Sequence, residues 1–179
     1  MNSEDDLVLV IESAIVSGSI SIFRRTDGVE IASLIGDQNQ SKAEGLLEDI
    51  FNLLKKHKII KKSIKSVVFV TGLGSLTGLK IGEATAKGLA KSFDCQYKEI
   101  SLWDIFAEIS EGDLRIFYIP AGKDRIARRV LNNGKYEAKP EVISAEYFRE
   151  DLSSIQSACI DARLYIYEGL IDFFDVNLL

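Results

Sequence analysis

The sequence predicts an α/β fold, with a first part of element order βββαβαβα and a shortened second part behind it. Three observations carry that prediction. Three strand-like runs come before any helical pattern. Three helical patterns then alternate with two short strand-like runs. The join between the second strand–helix pair is rich in glycine.

Leu7 to Ile11 is a continuous apolar run, the pattern of a strand buried on both faces. Ser17 to Phe23 and Val29 to Ile35 read as the next two strands. Asp27-Gly28 stands between them, and glycine supplies the positive φ that a tight turn needs. Ser41-Lys42-Ala43-Glu44 fits a capping box. Behind it Leu46, Leu47, Ile50, Phe51, Leu53 and Leu54 recur at helical spacing, predicting a helix over 41–57. Lys55-Lys56-His57-Lys58 then sets positive charge at the helix C-terminus, where the helix dipole favours it. Val67 to Val70 reads as a core strand, Thr71 to Gly78 as a turn, Leu79 to Phe93 as a second helix. Tyr97 to Ile100 and Leu102 to Ile109 read as a strand and a short helix.

A lobe boundary is expected near Ser110-Glu111-Gly112-Asp113, dividing residues 1–110 from 111–179. In the second part Leu114 to Ile119 reads as a strand. Ile126 to Leu131 and Lys135 to Ala138 form a hairpin about Asn132-Asn133-Gly134. Ser144 to Leu152 has helical character, and the apolar tail Ala158 to Leu179 has no clear assignment.

Composition narrows the function classes. The formal net charge of −5 gives the chain no overall attraction for polyphosphate, so any RNA is expected to be held mostly by a partner. Cys95 and Cys159 form no CxxC pair and have no zinc-ligand spacing. The acidic start Met1-Asn2-Ser3-Glu4-Asp5-Asp6 is unlike a secretory signal, and no apolar run is long enough for a bilayer, so a cytoplasmic protein without membrane contact is expected.

The most informative stretch runs from Thr71 to Ala90 (TGLGSLTGLKIGEATAKGLA). Its glycine spacing is GxGxxxG rather than the dinucleotide-binding GxGxxG, and the strands ahead of it do not form a βαβ start. It also lacks the GxxxxGK[ST] of a P-loop. A structural turn feeding a closely packed helix remains. Gly78, Gly82, Ala86 and Ala90 fall four apart and share one helix face, where small side chains let a neighbour approach. Packing on the chain's own sheet is one reading of that row, though Leu79, Ala84 and Leu89 also fit a sheet-facing role. A subunit interface is the favoured one, because the first helix is apolar over a wide arc that includes Leu47 and Phe51.

The same residues resemble the TsaB family of tRNA threonylcarbamoyladenosine biosynthesis proteins. Gly72 to Gly82, then Ala84, Ala86 and Lys87-Gly88-Leu89-Ala90, are similar to the family pattern GPGSFTGLRIGxAxAKGLA. Leu7 to Ser13 resembles its first strand, ILAIDTS, and Ser41 to Leu54 stands at its first helix. Ile100-Ser101-Leu102 resembles the segment after the next strand. The resemblance covers roughly residues 7–109. There are departures: Leu73 stands for Pro, Leu76 for Phe, Lys80 for Arg and Glu12 for Asp. In the second part Pro120 takes the Asp position of the family's DAR-type segment.

The resemblance implies an actin-like (ASKHA), ribonuclease-H-like fold. It implies a non-catalytic scaffold subunit that supports the catalytic subunit TsaD, which transfers threonylcarbamoyl to N6 of an adenosine in tRNAs reading ANN codons. The ATPase TsaE joins the assembly, tRNA is met only through the complex, and the isolated chain forms a homodimer. The partner face would carry Leu47, Phe51, Gly78, Gly82, Ala86 and Ala90. The family-motif turn would be Gly72, Gly74, Ser75, Thr77 and Lys80. No cofactor is firmly implied, a nucleotide at the partner interface being the one candidate.

The residues themselves agree with a chain lacking catalytic and metal residues. His57 is the one histidine and sits among lysines, so neither a histidine-pair metal site nor a Ser–His–Asp triad is available, and peptidase chemistry has no support. Glu12 alone, at the end of the first strand, is placed to face a nucleotide through hydrated magnesium. A carboxylate closing the strand end is the favoured alternative. The rival functions are an actin-like ATPase or phosphotransferase and a self-assembling homodimeric structural protein.

Overall fold

The computed structural model describes residues 6–14, 18–35, 42–72, 74–109, 114–121 and 124–148. They form two compact units. The first holds a five-stranded sheet and two helices, and the second a helix and an antiparallel sheet.

In the first unit the strands are β1 (Leu7–Glu12), β2 (Ser19–Arg24), β3 (Glu30–Ile35), β4 (Ile64–Thr71) and β5 (Gln96–Ser101), in the order β3-β2-β1-β4-β5. β1 pairs antiparallel with β2, Leu9 opposite Ile22, and parallel with β4, Leu9 opposite Val67. The opening is the predicted three-strand meander. Its β2–β3 turn spans Arg25 to Gly28, where Gly28 has φ +69°. Side chains alternate along β1: Leu7, Leu9 and Ile11 are buried while Val8, Val10 and Glu12 are half-buried, as a period of two requires.

The helices α1 (Lys42–Lys56) and α2 (Leu76–Phe93) share one core with the face carrying Leu7, Leu9 and Ile11. α1 contributes Leu46, Ile50, Leu53 and Leu54, and α2 contributes Ala86, Leu89, Ala90 and Phe93. Both helices end in the same hydrogen-bonded stop. Ile59 N–H donates to Leu54 O at 2.9 Å, with Lys58 at φ 55°. Cys95 N–H donates to Ala90 O at 3.0 Å, with Asp94 at φ 53°. These are Schellman motifs in which a lysine and an aspartate occupy the left-handed position usually given to glycine. Ile59, the residue after the stop, is buried with Leu54, supplying the apolar contact that accompanies the motif. A short 3-10 turn, Lys61–Ser63, leads into β4.

The second unit contains α3 (Leu102–Ile109), β6 (Leu114–Pro120), β7 (Arg125–Asn132), β8 (Lys135–Tyr136) and β9 (Glu141–Ser144). β7 is central, pairing with all three other strands. Asn133 (φ 48°) and Gly134 (φ 72°) make the expected Asn-Gly turn, both in the positive-φ region of a type I′ hairpin. Phe106 stacks on Phe117 at 5.0 Å, Trp103 meets Tyr136 edge-on at 6.2 Å, and the Tyr136 hydroxyl donates to Trp103 O. The Arg129 guanidinium lies 3.8 Å over the Tyr136 ring.

Three expectations shift. α2 begins at Leu76, so Thr77, Gly78 and Lys80 are helical and the turn is confined to residues 72–75. The units part after Ser101 rather than near 110, with Gly72–Ser75 also grouped in the second, because the aromatic side of α3 packs on β6 and β8. The stretch read as helix from Ser144 is preceded by a strand, β9, and is helical over 145–148. The capping box at Ser41–Glu44, the continuation of that last helix to Leu152, Cys159 and the tail from Ala158 lie outside the described side chains.

Candidate partner-binding face

The row of small residues on α2 turns inward. Gly82 is buried, Ala86 has no exposed surface and Ala90 is 3% exposed, and both alanines belong to the core shared with the sheet. A Cβ at Gly82 would lie 2.0 Å from Ser13 Oγ, 2.9 Å from Ser13 Cβ and 2.9 Å from the Phe69 ring. Gly82 thus lets the helix touch the end of β1 and the middle of β4. Ser13 Oγ also donates to Gly78 O at 2.9 Å, tying the first turn of α2 to the residue after β1. The expectation that Gly82, Ala86 and Ala90 face a partner is therefore corrected: they face the chain's own sheet. Gly78 is half-buried in the same contact.

The outward side of the helix pair is elsewhere. Leu47 is 50% exposed and Phe51 36%, so both expected α1 residues do reach the surface. Phe51 meets Phe93 of α2 edge-to-face at 6.4 Å, which sets this apolar flank of α1 beside α2. Lys61 Nζ lies 5.2 Å from the Phe51 ring centroid and covers part of it. On α2 the residues opposite the core row are Thr77, Lys80, Ala84 and Gly88, all exposed, and a Cβ at Gly88 would meet nothing within 4 Å. Ala84, expected with Leu79 and Leu89 to fit a sheet-facing role, is exposed instead, and Gly88 carried no expected role. They belong to the same motif, offset by two residues from the chosen row, and a helical wheel alone does not say which face is inward.

The family-motif turn contributes backbone geometry. A Cβ at Gly72 would stand 3.1 Å from Leu102 Cβ, tighter than ordinary contact. Thr71 Oγ1 donates to Ile100 O at 3.3 Å. Gly74 is half-buried and Ser75 exposed. Glu12 lies half-buried at the end of β1, and its Oε1 accepts the Ala14 N–H at 2.5 Å, so the carboxylate helps close the strand end. Among the described residues no three His, Cys, Asp or Glu side chains gather as a metal site. Beside the outer face Lys87 pairs with Glu83 at 2.5 Å, and Tyr97 donates to Glu99 at 2.7 Å. Burial, with the Glu99 contact behind it, raises the Tyr97 phenol well above its ordinary value.

Together the mixed five-stranded sheet, its two covering helices and the second antiparallel sheet define an α/β chain of the actin-like class, as expected. Within that class it is similar to YeaZ from Pseudomonas aeruginosa, with TM-score 0.61 and 18% identity over 79% of this chain and 68% of that one. A second P. aeruginosa structure, of an uncharacterized protein described as similar to peptidase YEAZ, gives TM-score 0.62 at 18% identity, with the same 79% and 68% coverage. A Bacteroides thetaiotaomicron protein described as having an actin-like ATPase fold and unknown function gives TM-score 0.45 at 11% identity, over 87% of this chain and 82% of that one. The sequence matches no protein-family model and no curated protein. The chain therefore has a YeaZ/TsaB-like fold. None of its described helices is long and apolar enough to cross a membrane.

Proposed function

We propose that this chain is a TsaB-like scaffold subunit that pairs with the catalytic subunit of a tRNA threonylcarbamoyladenosine synthase, TsaD, and does no chemistry itself. The observation that carries the reading is the outer face of the helix pair. Leu47 and Phe51 leave apolar surface in water beside α2, whose Ala84 and Gly88 leave it flat and open. Exposed apolar side chains next to a surface of small residues are what a helix-on-helix subunit contact needs, because backbones can then approach closely. The YeaZ-like fold and the Thr71–Ala90 motif support the same assignment. In this reading the ATPase TsaE and the tRNA meet the chain only in the assembled cytoplasmic complex, and the free chain self-associates through the same face.

Glu12 gives the rival nucleotide-binding reading no specific support, since its carboxylate closes its own strand end on Ala14. The test is to mix the chain with TsaD of the same organism and measure mass by light scattering during gel filtration. A stable heterodimer is expected. Two separate species well above micromolar concentration would overturn the pairing.

A further inference from the structure

One end of the first unit has a charge opposite to that of the chain. Lys55, Lys56, Lys58, Lys61, Lys62 and Lys65 lie within the short stretch from the last turn of α1 to the start of β4, with no acid between them, and all six are exposed. The sixteen bases elsewhere in the chain face twenty-seven acids.

The sheet topology adds to this end. Leu7 is opposite both Arg24 and Ile64, so the end of β2 lies beside the start of β4. Ser66 is opposite Gln96, which brings in the last turn of α2 with Lys91. Arg24, Arg25 and Lys91 bring the bases there to nine, against the four acids Asp6, Asp27, Glu30 and Asp94 among the described residues. Asp27 is held by Arg24 at 2.7 Å.

Compensation of the helix dipole accounts for Lys55 and Lys56 in the last turn of α1. It does not reach Lys62 or Lys65, beyond the Schellman stop. Lys65 Nζ instead donates to Lys62 O at 3.0 Å, holding its charge against the same surface.

We propose that this basic end is a docking surface for the phosphate backbone of a nucleic acid. The side-chain type decides between a nucleic acid and an acidic protein. Protein interfaces are depleted of lysine and enriched in arginine and aromatics, whereas exposed ammonium groups serve phosphates well as point charges. The stretch from 55 to 65 itself carries no arginine and no Phe, Tyr or Trp, with Arg24 and Arg25 coming from the neighbouring end of β2, so its six lysines offer backbone contacts without base readout. The acidic remainder would confine a polyanion to this end. This surface adjoins the outer helix face at Lys61, whose Nζ lies over the Phe51 ring, but its other lysines lie beyond that face. The inference stands whether or not the outer face pairs with a catalytic subunit, and it replaces the reading in which tRNA meets the chain only in the complex.

The experiment measures binding of the full chain to a tRNA, to a DNA duplex of similar length and to polyglutamate, each across a salt series. The variant is Lys58→Gly/Lys62→Gln/Lys65→Gln, and Lys135→Gln/Lys139→Gln is the control. Lys58→Gly suits the left-handed backbone there, and circular dichroism checks that each variant is folded. The expected result is binding to nucleic acid that weakens steeply with salt. In the triple variant affinity falls on the order of a hundredfold at moderate salt, and the log–log salt slope drops by about 3. The control should leave both unchanged. The tRNA and DNA arms show which backbone is preferred, and binding to either supports the surface. Polyglutamate binding as tightly as nucleic acid, an equal loss in the control, or no nucleic-acid binding at low salt would each overturn it.

Discussion

Two glycines on α2 receive the same extra methyl with opposite consequences. Gly88→Ala adds a Cβ that meets nothing within 4 Å, at a helical position without positive φ. Alanine is favoured over glycine in a helix interior by about 1 kcal/mol, so this variant should be stabilised by roughly 0.5–1 kcal/mol. Gly82→Ala gains the same propensity but sets its Cβ 2.0 Å from Ser13 Oγ and 2.9 Å from both Ser13 Cβ and the Phe69 ring. Rotating the serine hydroxyl away relieves only the first overlap, and it gives up the Ser13–Gly78 hydrogen bond, worth about 1 kcal/mol. The serine Cβ, just after β1, and the Phe69 ring on β4 are both held by the core, so the helix itself must shift. Overpacking of this kind costs about 1–3 kcal/mol, which leaves a net destabilisation of roughly 1–3 kcal/mol once propensity and the lost bond are included. Urea unfolding of the two variants, compared at constant m-value, reads the difference directly. If Gly82→Ala were stabilised as much as Gly88→Ala, the inward direction of the small row would be wrong.

Three further predictions rest on local geometry. Lys58 ends α1 at φ 55°, where an L side chain costs about 1–2 kcal/mol; glycine removes that but adds unfolded-state freedom, so Lys58→Gly should stabilise by roughly 0.5–1 kcal/mol in urea. Asp94→Gly should give less, because a short polar side chain tolerates that backbone better. Tyr136 is pushed up to about 12, chiefly by burial, with Arg129 acting against the shift. The fold therefore favours the neutral phenol. That contribution is complete below the unfolded tyrosine value near 10 and is lost as pH rises through the folded value. The stability gap between wild type and Tyr136→Phe should shrink from pH 10 to 12; a gap that stays constant over that window contradicts a raised phenol.

The elements set by local chemistry could be read from the sequence. The Leu7–Ile11 run, the Leu46–Leu54 periodicity and the Asn133-Gly134 turn each follow from short-range spacing and appear as β1, α1 and the β7–β8 hairpin. What could not be read depends on partners distant in sequence. The spacing of Gly78, Gly82, Ala86 and Ala90 defines a face but not its direction. The direction is set by Ser13, just after β1, and Phe69 on β4, both distant in sequence. The same holds for α3: 102–109 reads as a short helix, but its grouping with the second sheet depends on Phe117 and Tyr136. The start of α2 was placed late because glycine at position 78 reads as a turn, whereas here it lies inside the first helical turn. Of the expected interface, Leu47 and Phe51 remain at the surface, and Ala84 and Gly88 take the place of the buried row.

The central claim is that the outer face of α1 and α2 is the pairing surface. The most direct measurement is the binding affinity for TsaD of Gly88→Trp and of Leu47→Glu, set beside the buried-row variant Gly82→Trp and the melting temperature of each chain. The account predicts that the first two melt like wild type yet lose partner binding, while Gly82→Trp fails to fold. Undiminished binding by a folded Gly88→Trp or Leu47→Glu variant would contradict it.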